Sequence, residues 1–322
     1  MTQIDNSGKL ITLIGGSGFL GRHAVRALAR RGYRIRVAVR RPDLAGHLQP
    51  LGAVGQIMPV QANVRYPASL AAACKGADMV VNFTGVLKSS GAQSFDAVHA
   101  FGAQASARAA KQAGARGFIQ ISAIGADAAS DSAYARTKAE GEARARAEFA
   151  GAEVLRPSVV FGPEDDFFNR FAAMARFSPA LPLIGGGATR FQPVFVGDVG
   201  EAIAARIEAG ANSGQCWELG GPEVLSFREL LEYVLEVTGR KRLLVPVPFP
   251  VAALLGAATG WLPGAPITAD QVKLLRHDNV VSDAARKAGL TLEGLGIKAR
   301  AIQAIVPAYL YRYRKAGQFS QP

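Results

Sequence analysis

The sequence predicts an α/β fold: a doubly wound parallel sheet with a second, smaller and mostly helical lobe. Three observations predict it. An apolar run at residues 10–14 ends in a glycine turn and leads straight into a helical run. Strand-like and helix-like segments then alternate, each helix closed by a glycine such as Gly32, Gly76 or Gly114. Several of the strand segments are apolar almost without a break, as strands covered on both faces are.

The opening turn carries the most information. It reads Gly15-Gly16-Ser17-Gly18-Phe19-Leu20-Gly21. With glycines at 15, 18 and 21, one makes the turn, one lets backbone approach a pyrophosphate, and one lets the helix pack close to the strand. Ser17, Gly18, Phe19 and Leu20 would then lie at the phosphate end of the helix, where its backbone N–H groups favour an anion. A second strand follows at residues 34–39. About 20 residues past the glycines, an NAD-preferring site places Asp or Glu on the ribose 2′-hydroxyl; this chain has Arg40 and Arg41. Together with Arg22, these guanidinium groups suit a 2′-phosphate. The expected cofactor is NADPH (NADP).

A third strand at 56–60 runs into Asn63 and Val64, a polar edge suited to the adenine. After a short helix at 68–75, a buried strand at 79–83 ends in Phe83, Thr84 and Gly85. A long helix is predicted over 96–113, and the strand 118–122 ends in Ser122. A dinucleotide is expected across the C-terminal ends of these strands. Tyr134 and Lys138 follow at the head of the next helix, four apart and so on one face. A tyrosine with an ordinary pKa of about 10 becomes useful at neutral pH when an ammonium and a nicotinamide cation stabilise its phenolate. Lys138 also suits the nicotinamide ribose. A further strand runs through Leu155-Arg156-Pro157-Ser158-Val159-Val160.

Beyond it the pattern changes. Glu164 to Phe171 opens a helix, a Pro/Gly-rich stretch runs to Gly187, residues 191–199 return to the main domain with a helix to 209, and 216–221 form another strand. The predicted division is a nucleotide-binding domain at 1–160 with 191–220 returning to it, and a smaller lobe from 161–190 and 221–322. Ser226-Phe227-Arg228-Glu229 and Thr268-Ala269-Asp270-Gln271 are capping boxes that start helices. Between them lies Leu243-Leu244-Val245-Pro246-Val247-Pro248, followed by 251–261, apolar nearly all round. That stretch is too short to span a bilayer. It reads first as a buried helix, and alternatively as an apolar surface against a membrane or another subunit. The basic, aromatic end at 309–315 reads as an interfacial anchor or a frayed terminal helix.

Composition narrows the partners. The 322 residues are 49% hydrophobic, ample for a packed core, and carry a formal net charge of +12. From Arg240 onward the balance is +8, which reads either as a face for an anionic membrane or protein surface or as a generally Arg-rich composition. No nucleic-acid motif accompanies it, so no nucleic-acid partner is expected. Cys74 and Cys216 read as buried reduced thiols, the four histidines have no ligand-like spacing so no metal is expected, and residues 1–9 carry no export pattern.

Taken together, the opening turn, Asn82-Phe83-Thr84-Gly85, Ser122, Tyr134 with Lys138, and residues 155–163 resemble the extended and atypical short-chain dehydrogenase/reductase families. The resemblance implies a Rossmann fold, hydride-transfer roles for Ser122, Tyr134 and Lys138, and a nicotinamide lying along Pro157 and Val160. One departure weakens the catalytic expectation: His99 stands where the family's proton relay takes an asparagine. Residues 161–171, residues 191–199 and the Pro-rich apolar stretch before the basic tail are most similar to the nucleotide-binding accessory-subunit family of respiratory complex I, NADH:ubiquinone oxidoreductase, in a bacterial form. That resemblance implies a tightly held NADPH with a structural role and no substrate turned over. It also implies docking on other subunits beside the quinone-reducing arm, peripherally on the cytoplasmic side of the inner membrane without a transmembrane helix. The alternative it leaves open is a free-standing NADP-dependent reductase, epimerase or isomerase.

Overall fold

The structure is a computed structural model that describes residues 6–259 and 267–319, apart from Lys88, Ser90 and Ala92. In chain order the first half comprises β1 (Leu10–Ile14), α1 (Phe19–Ala29), β2 (Arg34–Val39), β3 (Ile57–Gln61), α2 (Pro67–Cys74), β4 (Met79–Asn82), α3 (Phe101–Gln112), β5 (Gly117–Ile121), α4 (Ala133–Glu148) and β6 (Glu153–Pro157). Next come β7 (Val160–Phe161), α5 (Phe167–Phe177), β8 (Ala180–Ile184), β9 (Arg190–Phe191), β10 (Val194–Phe195), α6 (Val196–Glu208) and β11 (Cys216–Leu219). The chain ends with β12 (Leu225–Ser226), α7 (Phe227–Thr238), β13 (Leu243–Val247), α8 (Phe249–Thr259), α9 (Ala269–Leu274), α10 (Asp283–Lys287), α11 (Ile302–Ile305) and α12 (Pro307–Leu310).

Seven strands form one parallel sheet in the order β11-β6-β5-β4-β1-β2-β3. The strand order switches from one side of β1 to the other between β1 and β4, which is where an open α/β sheet leaves a crevice at its strand ends. One face of the sheet carries Leu13, Val37, Val81 and Ile119 packed with Val25 and Leu28 of α1 and with Val199 and Ile203 of α6. The other carries Ile14, Val80 and Phe118 under an alanine-rich layer that includes Ala103, Ala107 and Ala110 of α3. Covered on both faces, the strands are apolar throughout, which accounts for the sequence pattern.

The smaller lobe has its own core, centred on Phe161, Phe168, Leu181, Leu183, Phe227, Leu230 and Val234. Here the structure departs from the sequence reading in four places. The Pro/Gly-rich stretch contains β8, paired in parallel with β13 in a two-stranded sheet. Pro182 and Pro246 hid both strands, yet a two-stranded sheet is all edge and tolerates residues that donate no ladder bond. Helix α8 is not a core helix: only Ala252 and Gly256 are buried, while Val251, Leu254 and Leu255 are 48%, 71% and 52% exposed. Residues 260–266, the end of that predicted helix, lie outside the described residues. The C-terminal segment is neither frayed nor free. Tyr309 and Leu310 are buried, the Tyr309 hydroxyl donates to the buried Asp165 carboxylate, and Tyr313 donates to Asn169. Finally, Leu290, Leu292, Leu295 and Ile297 pack on the large core rather than the lobe, and the Glu218 N–H donates to the Leu290 carbonyl. Of the two free cysteines, Cys74 is buried and Cys216 only half-buried.

Candidate nucleotide-binding site

The glycine turn is built by contacts that exclude side chains. Gly15 sits at φ +77°, and a Cβ there would lie 3.2 Å from the Thr84 side chain. At Gly21 a Cβ would stand 2.5 Å from the Cα and carbonyl oxygen of Gly16, so α1 can rest against the turn only with glycine at that position. Gly18 is the N-cap of α1 and has no side-chain cap, which leaves the first N–H groups of the helix facing the crevice. The Gly15 N–H donates to Ala38 and the Phe83 N–H to Ile14, tying the turn to β2 and β4.

One continuous cleft of about 1360 Å³ runs across these strand ends. It is lined by Gly15, Ser17, Gly18, Phe19, Leu20, Gly21, Arg40, Asn63 and Val64, and farther along by Phe83, Thr84, Gly85, Ser122, Tyr134, Lys138, Pro157 and Val160. Two of the three arginines singled out from the sequence point elsewhere. Arg22 reaches Glu164 at 3.2 Å and the Ser17 carbonyl at 3.5 Å, and is absent from the lining. Arg41 chelates Asp43, with contacts of 3.1 and 2.8 Å, and is exposed. Arg40 is the arginine of the pair that faces the cleft.

At the far end the side chains named from the sequence converge. The Lys138 ammonium donates to the Ile121 carbonyl at 2.9 Å, and burial lowers its pKa to about 8. The Tyr134 phenol is half-buried, and burial pushes it up to about 12; the activation expected from the sequence needs both the Lys138 ammonium and a bound nicotinamide cation. The Ser122 hydroxyl is buried, lines the cleft and has no partner among the described residues. Such an orphaned polar atom fits a ligand group that completes its hydrogen bonding.

The long helix predicted over 96–113 opens with a single π turn, Asp96–Ala100, before α3 begins. The extra residue aims His99 at the site. The Val86 N–H donates to its Nε2 at 3.0 Å, so that nitrogen is the acceptor; Nδ1 then carries the proton and donates to the Thr137 hydroxyl at 3.0 Å, which in turn donates a hydrogen bond to the Ala133 carbonyl at 2.8 Å. Burial, and next the Lys138 charge, lower the His99 pKa to about 3. The ring is neutral with both nitrogens committed. It braces the 84–87 loop against α4 and leaves no free atom for a proton relay.

Three further residues position the site, and sequence reading passed over them. Asp270 of α9 receives the Ser132 hydroxyl and the N–H groups of Ala133 and Tyr134 at 2.8 to 3.1 Å, so a carboxylate from the small lobe caps the helix that bears Tyr134 and Lys138. Asn279 bonds Ser158, the Val159 N–H and the Ile124 carbonyl, stitching the ends of β5 and β6. Glu142, buried on α4, is chelated by Arg156 of β6 at 2.9 and 2.7 Å. The box Thr268-Gln271 marks the start of α9, but no local signal says which helix its aspartate will reach.

Comparison with known proteins agrees with this geometry. A family model described as NAD(P)H-binding matches residues 15–160. The NADH dehydrogenase [ubiquinone] 1 alpha subcomplex subunit 9 of Arabidopsis thaliana is 33% identical, over 97% of this chain and 79% of that protein. The ceramide reductase of Caulobacter vibrioides is 32% identical, over 77% of this chain and 76% of that protein. The fold matches that of the NADPH-dependent quinone oxidoreductase QOR2 from Escherichia coli, solved with NADPH, with a TM-score of 0.73 at 20% identity, covering 94% and 99% of the two chains. A glycine turn that backs directly onto β4, a cleft at the sheet's switch point and near full-length similarity to subunit 9 converge on one assignment: this chain has an NAD(P)H-binding domain and belongs to the extended short-chain dehydrogenase/reductase family, in the group of the complex I subunit 9 proteins.

Proposed function

We propose that this protein is an NADPH-holding accessory subunit of a bacterial respiratory complex I, in which the nucleotide stabilises the fold and no substrate is turned over. The observation that carries the reading is the state of His99: at the relay position stands a neutral ring with both nitrogens used in structural bonds. Burial raises the Tyr134 phenol to about 12 in the chain without nucleotide. NADP(H) rather than NAD(H) is favoured by Arg40 in the cleft and by the lack of a carboxylate at the end of β2. Ser17 and Gly18 to Gly21 would hold the pyrophosphate, Asn63 and Val64 the adenine, Thr84, Gly85, Tyr134 and Lys138 the nicotinamide riboside, and Pro157 and Val160 its ring. When bound, the nucleotide supplies a hydride donor.

Docking is assigned to the small lobe. Phe177, Leu243 and Leu254 are more than 70% exposed. Arg176 and Arg242 lie close enough to Arg240 to lower its pKa, after the larger effect of its own burial. An apolar surface next to clustered guanidinium groups suits other subunits of the complex and an anionic membrane surface on the cytoplasmic side of the inner membrane. Among the described residues no helix is long and apolar enough to cross a membrane; peripheral attachment is part of the proposal.

A second reading, a free-standing NADP-dependent reductase, is favoured by the unpartnered Ser122 hydroxyl beside Tyr134 and Lys138 and by similarity to a protein named as a ceramide reductase. One measurement tests the first reading and another separates the two. Stripping NADPH from the purified chain lowers Tm under the first, because a ligand bound only by the native state adds to stability; an unchanged Tm sinks it. Pull-down from gently solubilised membranes recovers quinone-reductase subunits under the first and a lone protein under the second.

A further inference from the structure

The cleft extends past the positions assigned to the dinucleotide. Its volume of about 1360 Å³ exceeds the roughly 300–1,000 Å³ of an ordinary small-molecule pocket. The dinucleotide positions account for the sheet side. The remaining part extends under the small lobe and is walled by Phe167, Phe171 and Met174 of α5, Ile184 of β8, Phe227 of α7 and Leu255 of α8.

Ser130, Asp131 and His277 also line the cleft, but the polar side chains set among these apolar walls are largely paired. Arg170 and Asp166 are paired with each other at 2.7 Å, Asp278 is taken by Arg190 at 2.8 Å, and Gln271 is spent on its capping box. A sugar or a second nucleotide would leave its hydroxyls unpaired against aromatic and aliphatic walls, whereas a hydrocarbon chain gains with every methylene buried there. Leu255 lines the chamber and is also 52% exposed, so the chamber opens on the apolar face of α8. At the opposite end stands the buried Ser122 hydroxyl without a partner.

We infer that the small-lobe chamber binds the single long hydrocarbon chain of an amphiphile, acyl or isoprenyl, admitted past α8, with its polar head toward Ser122. This goes beyond the accessory-subunit reading and does not depend on it, since either a resident lipid or a substrate would occupy the same space.

The test titrates the full-length, NADPH-loaded chain with cis-parinaric acid, whose fluorescence rises in apolar surroundings. Saturable binding of one equivalent is expected. Displacement by oleic acid alone identifies an acyl site, by geranylgeraniol alone an isoprenyl site, and by both a site that reads chain length only; each supports the chamber. Met174→Arg, which puts a charge inside, and Leu255→Glu, at the mouth, should each weaken binding at least tenfold. Because Met174→Arg is a core change, circular dichroism and Tm are measured alongside; Leu255→Glu, at a half-exposed position, keeps the test valid if the first variant does not fold. Absence of saturable binding, or binding undiminished in the folded variants, overturns the inference.

Discussion

The two walls of the cleft are made in different ways. On the sheet wall, position is set by backbone: Gly21 touches Gly16, Gly15 touches Thr84, and the Phe83 N–H bonds the end of β1. On the lobe wall, it is set by side chains on short helices and a two-stranded sheet, with rings such as Phe167, Phe171 and Phe227 in edge contact at 5.2 to 6.2 Å. Backbone geometry specifies a ligand of fixed shape such as a pyrophosphate. Packed rings specify only that the occupant be apolar. Asp270 and Glu164 link the walls, one capping α4 and the other bonding Arg22.

The contrast can be broken by mutation. The largest effect is expected in the lobe. Phe168 is fully buried and packs edge-on against Phe161 at 6.0 Å, so Phe168→Ala should cost about 3–5 kcal/mol in urea unfolding. The folded fraction should keep its nucleotide; nucleotide lost in proportion would show that the walls are not separable. Gly21→Ala should do the reverse, costing about 1–3 kcal/mol because the new Cβ meets backbone that cannot yield, while emptying the site. Chromatography of nucleotide released from the denatured protein reads this directly, and a full complement in the variant would refute the backbone account.

The third effect sharpens the role of His99. Its pKa is about 3 folded and about 6.5 unfolded, so below pH 6.5 the unfolded chain binds the extra proton and stability falls as pH drops toward 3. Between pH 6.5 and 5 the loss should be about 1.6 kcal/mol, the slope growing toward about 1.36 kcal/mol per pH unit as the unfolded histidine becomes fully protonated. Glu153, whose own burial is outweighed by bonds from Arg206 and Ser213, has a lowered pKa and adds acid sensitivity only below its ordinary value of about 4.3. His99→Asn should therefore flatten the profile from pH 6.5 down to about 3, leaving below about 4.3 the slope that Glu153 adds; equal slopes in both proteins would remove the buried neutral His99 ring as the source of the acid sensitivity. The smallest effect is expected at Arg40, where replacement by Ala should cost about 1.5 kcal/mol of NADPH binding, roughly tenfold, and leave NADH binding nearly unchanged. Equal losses for the two nucleotides would return Arg40 to the solvated surface.

What was legible followed local rules. The glycine spacing, the apolar strands and both capping boxes each express geometry within a few residues, and the helices α7 and α9 start at the serine and threonine that announce them. What was not legible depended on distant partners. Arg41 stands beside Arg40 in sequence, but Asp43 draws it away from the cleft. The strand character of β8 and β13 exists only because each supplies the other's single ladder. Tyr309 reads as an interfacial aromatic until Asp165, 144 residues away, takes its hydroxyl.

By itself the sequence determined the doubly wound sheet and the nucleotide turn, because glycine at positions 15, 18 and 21 and buried apolar strands leave the backbone few other solutions. The tertiary structure alone decided which charges face the cleft, that His99 is spent on bracing, and that an apolar chamber opens beneath α8. Those outcomes turn on which long side chains meet across the fold, and hydrogen bonds and burial between segments far apart in the chain leave no periodic trace along it.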